Sequence, residues 1–160
     1  MLGLGNSLVG GVALEAAFTP ASISNLTLWL KVNTNITADQ ASGGGALDPE
    51  HTSNGGDMAD GDRINAWNGY GGTSVNAVQT TTGDKPRWET DAADLGGVKS
   101  AAGNKHMDLS ASITFSANTD FTIAMRFKCT DFSSTRAILG DTASEFFRFQ
   151  DNNTIRIKTD

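Results

Sequence analysis

Three aspartates, Asp57, Asp60 and Asp62, fall within one glycine-rich stretch, with Asp48 and Glu50 just upstream. Calcium takes about six to eight oxygen ligands, which clustered carboxylates and free carbonyls of a flexible loop can supply. The three are therefore the candidate metal residues. Their spacing lacks the pattern of an EF-hand loop, and Asp is also simply a good turn former, so solvated turn aspartates are the competing reading. A second group is aromatic. Trp67, Tyr70 and Trp88, with Trp29, offer flat faces of the kind on which sugars stack, making the first three the candidate glycan-stacking residues. The competing reading is core packing, because Trp is highly buried on average.

Other chemistry is poorly supplied. Glu89-Thr-Asp91-Ala-Ala-Asp94 approximates the Glu-x-Asp-x-x-Glu strand of jelly-roll glucanases. A retaining mechanism needs its two carboxyls about 5–5.5 Å apart, whereas Asp94 is one carbon shorter than Glu and Ala92 and Ala93 are poor strand formers. His51 and His106 are the only histidines, and no Gly-x-Ser-x-Gly elbow accompanies them, so serine-nucleophile chemistry lacks its partners. Both read as surface or loop residues. Cys129 is the only cysteine, which excludes an intrachain disulfide and leaves a cysteine-based zinc site without partners. It reads as a small buried apolar residue. The expectation is a protein that is not an enzyme and needs no cofactor.

Totals bound the rest. With 160 residues, 38% of them hydrophobic, the chain fits one domain with a core of its own. Its net charge of −6 is spread along the chain and no basic stripe exists, which argues against nucleic acid as a partner. No apolar run approaches the roughly 20 residues that span a bilayer, so no membrane partner is expected.

The elements that must position these residues read as β. Leu26 to Val32 alternates, with Leu26, Leu28 and Leu30 opposite Trp29, and predicts a strand. Asn33 to Gly61 is rich in Gly, Asn and Asp and predicts one long loop. Asp62 to Asn68 alternates again, with Ile64 on one side and Arg63, Asn65 and Trp67 on the other. Gly69 to Gly72 is a turn. Val75 to Thr82 and Pro86 to Glu89 are short extended candidates, with two more between Val98 and Leu109. Phe121 to Cys129 shows the strongest alternation, Phe121, Ile123, Met125 and Phe127 sharing one face. Arg136 to Leu139, Glu145 to Gln150 and Thr154 to Lys158 follow, the last two joined at Asp151-Asn152-Asn153 as a hairpin. Many short strands with frequent turns and no sustained helical period predict an all-β sandwich or barrel.

Met1 to Phe18 stands apart. It is apolar and glycine-rich, and the first basic residue of the chain is Lys31, so it lacks the positive region of a signal peptide. Its glycines make a poor helix. The reading is an arm over 1–19, with Leu2, Leu4, Leu8 and Val9 as the residues that pack on a partner subunit, followed by a β-sandwich over 20–160. A terminal strand packed on its own domain is the alternative.

Ser24-Asn-Leu-Thr-Leu-Trp-Leu-Lys31, then Asp60-Gly-Asp-Arg-Ile-Asn-Ala-Trp-Asn-Gly-Tyr-Gly-Gly72, then Lys85-Pro-Arg-Trp88 resembles the concanavalin-A-like, laminin-G-like jelly rolls. Asp120 to Lys128 looks like the long core strand of those modules, so the likeness runs over roughly 20–158. The opening Met-Leu-Gly-Leu-Gly-Asn-Ser-Leu-Val is similar to the start of small structural proteins of tailed phages, notably those of marine cyanobacteria. The resemblance implies a jelly roll with an apolar arm, a virion location, and a decoration, neck, fibre or tail-associated role. It also implies a homo-oligomer among other virion structural proteins and no catalysis. The chain ends just past its last hairpin, where such modules carry further strands, implying a short version or strands that are missing or supplied by a neighbour. The alternative function is a lectin-like module for host-surface glycans.

Overall fold

The computed structural model describes residues 20–90, 97–100, 105–113, 122–125, 136–140, 145–150 and 154–157. The chain is all-β. Every strand pair among the described residues is antiparallel, and the helical content there is one short 3-10 turn, Pro20–Ser22. The chain gathers into two compact units, 1–114 and 115–160.

Seven strands form the sheet of the first unit: β1 (Ile36–Gln40), β2 (Ala46–Thr52), β3 (Arg63–Trp67), β4 (Ala77–Val78), β5 (Arg87–Glu89), β6 (Gly97–Lys99) and β7 (Asp108–Leu109). The main order is β2-β1-β3-β4-β7, and β5 pairs with both β3 and β6. Strand β3 is the branch point. Its Arg63 end pairs with β5, and its Ala66–Trp67 end with β4. Inside the sheet lie Ile36, Ile64 and Trp88, packed with Met58, Trp67, Val98 and Met107. Ala38, Val75 and Ala77 are also buried. Opposed residues of an antiparallel pair share a face, so the Ala38–Ile64 and Trp88–Val98 pairs place these residues on the inner side.

Two predictions fail in this unit. Leu26 to Lys31 joins no sheet. The segment is tied instead to the turn after β3, where the Tyr70 N–H donates to the Trp29 carbonyl at 2.9 Å and Trp67 Nε1 donates to the Lys31 carbonyl at 3.1 Å. The predicted long loop, in turn, contains the β1–β2 hairpin. Its inward signal is only Ile36 and Ala38, because edge strand β2 is largely exposed and needs no apolar face. The Gly69 turn is as predicted. A side chain there would come within 2.7 Å of the Thr73 and Val75 carbonyls, so only glycine fits without displacing backbone.

The second unit holds a three-stranded sheet, β8 (Arg136–Gly140), β9 (Glu145–Gln150) and β10 (Thr154–Ile157), in the order β10-β9-β8. The predicted hairpin is there, Thr154 facing Gln150 and Ile157 facing Phe147. Of the predicted Phe121–Cys129 strand, the described residues Thr122–Met125 join no sheet, and Ile123 and Met125 are exposed. The rest of that segment lies outside the described residues.

Candidate functional site

The ionisable side chains of the first unit sort into two kinds. One kind ties loops to the sheet. Asp62, only 2% exposed, sits just before β3; its Oδ2 accepts the Ala59 N–H at 2.8 Å and lies 2.7 Å from His51 Nδ1 on β2. A buried carboxylate needs such partners, since desolvation without them is costly. Lys85, 3% exposed, holds both oxygens of Asp39 at 2.7 and 2.8 Å. This ion pair pins the segment before β5 to β1.

The second kind forms a row across the outer face. Gln40 on β1 faces Arg63 on β3, Arg63 faces Arg87 on β5, and Arg87 faces Lys99 on β6. The Ile64 N–H donates to the Pro86 carbonyl at 2.9 Å, and the Trp88 N–H to the Asp62 carbonyl at 2.7 Å. Those bonds flank Arg63 and Arg87 rather than joining them, so the two arginines are a non-hydrogen-bonded pair, the closer kind, with Cα atoms about 4.5 Å apart. Strand alternation directs both away from the core, because their chain neighbours Ile64 and Trp88 point into it.

Neither arginine has a carboxylate partner among the described residues. Arg63 Nη1 donates to the Thr82 carbonyl at 3.4 Å. Its guanidinium also lies against Gly44, whose φ of +89° turns the β1–β2 hairpin beneath it. Lys99 is paired with Glu89 at 2.5 Å, and Glu50 accepts from Asn65 Nδ2 at 3.0 Å.

The chain has no significant match to any protein-family model, curated protein or solved structure. Function must therefore be argued from the site itself.

The predicted aromatic platform does not form. Trp88 is 7% exposed and belongs to the core, where its large apolar surface is worth more than at the rim. Trp67 packs on the same core and uses its indole N–H on Lys31. Tyr70 is half-buried, edge-to-face with Trp29 at 4.7 Å, and the Lys31 ammonium stands 4.5 Å from its ring centre. The three candidate rings thus share no open plane.

The predicted calcium aspartates are likewise dispersed in role. Asp57 Oδ1 accepts the Thr52 N–H at 2.7 Å, Asp60 Oδ1 accepts the Thr90 N–H at 3.2 Å, and Asp62 is buried on His51. Among the described residues no three His, Cys, Asp or Glu side chains are grouped to hold a metal. His51 is not the plain loop residue predicted but a residue of β2 whose Nδ1 meets the buried Asp62 carboxylate. Glu89 is bound to Lys99, while Asp91 and Asp94 lie outside the described residues, as do Cys129 and the arm residues Leu2, Leu4, Leu8 and Val9. Sequence reasoning missed the Arg63–Arg87 pair. Its outward side was legible from alternation, but its partner was not.

Proposed function

We propose that this chain is a non-catalytic virion structural protein, a jelly-roll module carried by an apolar N-terminal arm that docks on neighbouring subunits. The observation that carries the non-catalytic part is the use of the acids. Asp39, Asp57, Asp60 and Asp62 each hold a loop or a strand in place. A hydrolase needs carboxyls free to meet a substrate, and these are committed to backbone amides, a lysine and a histidine. The assembly part is supported by Leu2, Leu4, Leu8 and Val9 in a glycine-rich stretch. Ile23, Val32, Leu109, Ile123 and Met125 add to it, each at least 40% exposed. Exposed apolar side chains are buried favourably when copies associate.

Deleting residues 2–18 tests the reading. The full chain should sediment as an oligomer and the deletion as a monomer that keeps its β circular dichroism. An oligomer of unchanged mass after deletion would refute the arm.

A further inference from the structure

We infer that the row Gln40–Arg63–Arg87–Lys99 binds an acidic oligosaccharide, seating its sulfate or carboxylate groups on the two arginines. The site goes beyond the arm-docking reading and does not depend on it. The argument begins with register. Arg63 and Arg87 face each other as the closer type of cross-strand pair, and Lys99 continues the line on the next strand. Like charges directly opposed are unfavourable in a sheet, and here no carboxylate among the described residues relieves the arginines. That is notable in a chain with 18 acids and 12 bases.

The Arg63 guanidinium is already oriented, between the Thr82 carbonyl and the Gly44 turn. An oxyanion placed over the pair would receive charge-assisted hydrogen bonds from two planar forks at once, the geometry in which Arg binds carboxylate and sulfate best. Strand pairing sets the Cα atoms of neighbouring cationic residues about 4.5–5.5 Å apart, so the row runs across the strands, as a chain of successive anionic groups would.

Surrounding residues select among polyanions. None of the exposed large apolar side chains lies on β1, β3, β5 or β6, and a protein interface is usually anchored by such residues. No aromatic side chain stands in the row, whereas single-stranded nucleic acids are held largely by stacking on aromatic rings. The amides beside the arginines are already engaged, Gln40 Nε2 donating to Thr82 Oγ1 at 3.2 Å and Asn65 Nδ2 to Glu50 at 3.0 Å, so recognition falls to the cations. Cations without an apolar or aromatic anchor beside them fit an acidic sugar chain.

The test uses the full chain at low salt, with dextran sulfate, oligogalacturonate and neutral dextran as separate probes and calorimetry as the readout. At least one acidic probe should bind, with neutral dextran at least about tenfold weaker; the two acidic arms tell sulfate from carboxylate. Affinity for the acidic probe should fall with added salt. Arg87→Gln should weaken binding about tenfold and R63Q/R87Q about a hundredfold. K31Q, which removes one positive charge as R87Q does but at the Tyr70 ring, should stay within about twofold. If R63Q disturbs the hairpin, R87Q still decides, since the Arg87 guanidinium has no hydrogen-bond partner among the described residues. Equal binding by R87Q and the unaltered chain would overturn the site, as would equal affinity for neutral dextran. So would polyglutamate or oligo-dT binding as tightly as the acidic glycan.

Discussion

The two faces of β3 and β5 carry opposite kinds of residue at adjacent positions. Ile64 and Trp88 point inward and are almost wholly buried, whereas Arg63 and Arg87, one residue earlier on each strand, point outward and face one another. Inward, the strands are held by apolar contact. Outward, the same backbone pairing forces two cations together without a described acid between them. The buried Lys85 and Asp62 make the contrast sharper, because each has been given a partner, Asp39 and His51 respectively. Charges that serve the fold are paired, and the Arg63–Arg87 pair is not.

The inner face should dominate stability. Trp88→Ala removes a core side chain and is expected to destabilise the first unit by about 3–5 kcal/mol, read by urea unfolding. All three tryptophans lie in this unit, so fluorescence from the remaining two still reports on it. Full stability in that variant would place Trp88 at a binding surface instead. Next comes the paired charge. Asp39→Ala leaves the Lys85 ammonium buried alone, at a cost of about 3 kcal/mol, while Lys85→Met, which takes the buried charge away, should cost clearly less. Equal losses would mean that Lys85 reaches water. The outer face should respond least and with the opposite sign. Arg87→Glu places an acid opposite Arg63 and should stabilise by about 0.2–1 kcal/mol. A net loss would show that the two cations are already neutralised and would weaken the acidic-glycan site.

The way each strand was legible follows from how much apolar signal it carries. Asp62–Asn68 reads correctly as a strand because Ile64 is flanked by polar residues that stay outside. The β9–β10 hairpin reads correctly because two alternating runs meet at a tract suited to a turn. Leu26–Val32 misleads for a physical reason: period two says only that side chains take opposite sides, and pairing also needs a free neighbouring edge. That segment's backbone is instead engaged by Tyr70 and Trp67. The β1–β2 hairpin hides for the converse reason. An edge strand such as β2 is exposed and polar, with Asp48, Pro49 and Glu50 in it, which are edge-protecting features that resemble loop composition.

The candidate residues divide along the same line. The aromatic and aspartate groups are candidates by residue type, and type alone does not say whether a ring faces the core or a carboxylate already has a partner. Burial and hydrogen bonding decided both against an open site.

By itself, the sequence determined the all-β class, the position of most turns, and the opposite sides of Ile64 and Arg63 on β3, because turn chemistry and alternation are local. Only the tertiary structure decided that Arg63 would stand opposite Arg87, that Lys85 would be buried on Asp39, and that His51 would meet Asp62. Those are pairings across 24, 46 and 11 positions of chain. Strand register sets them, and register depends on which edges meet, a property no single segment contains.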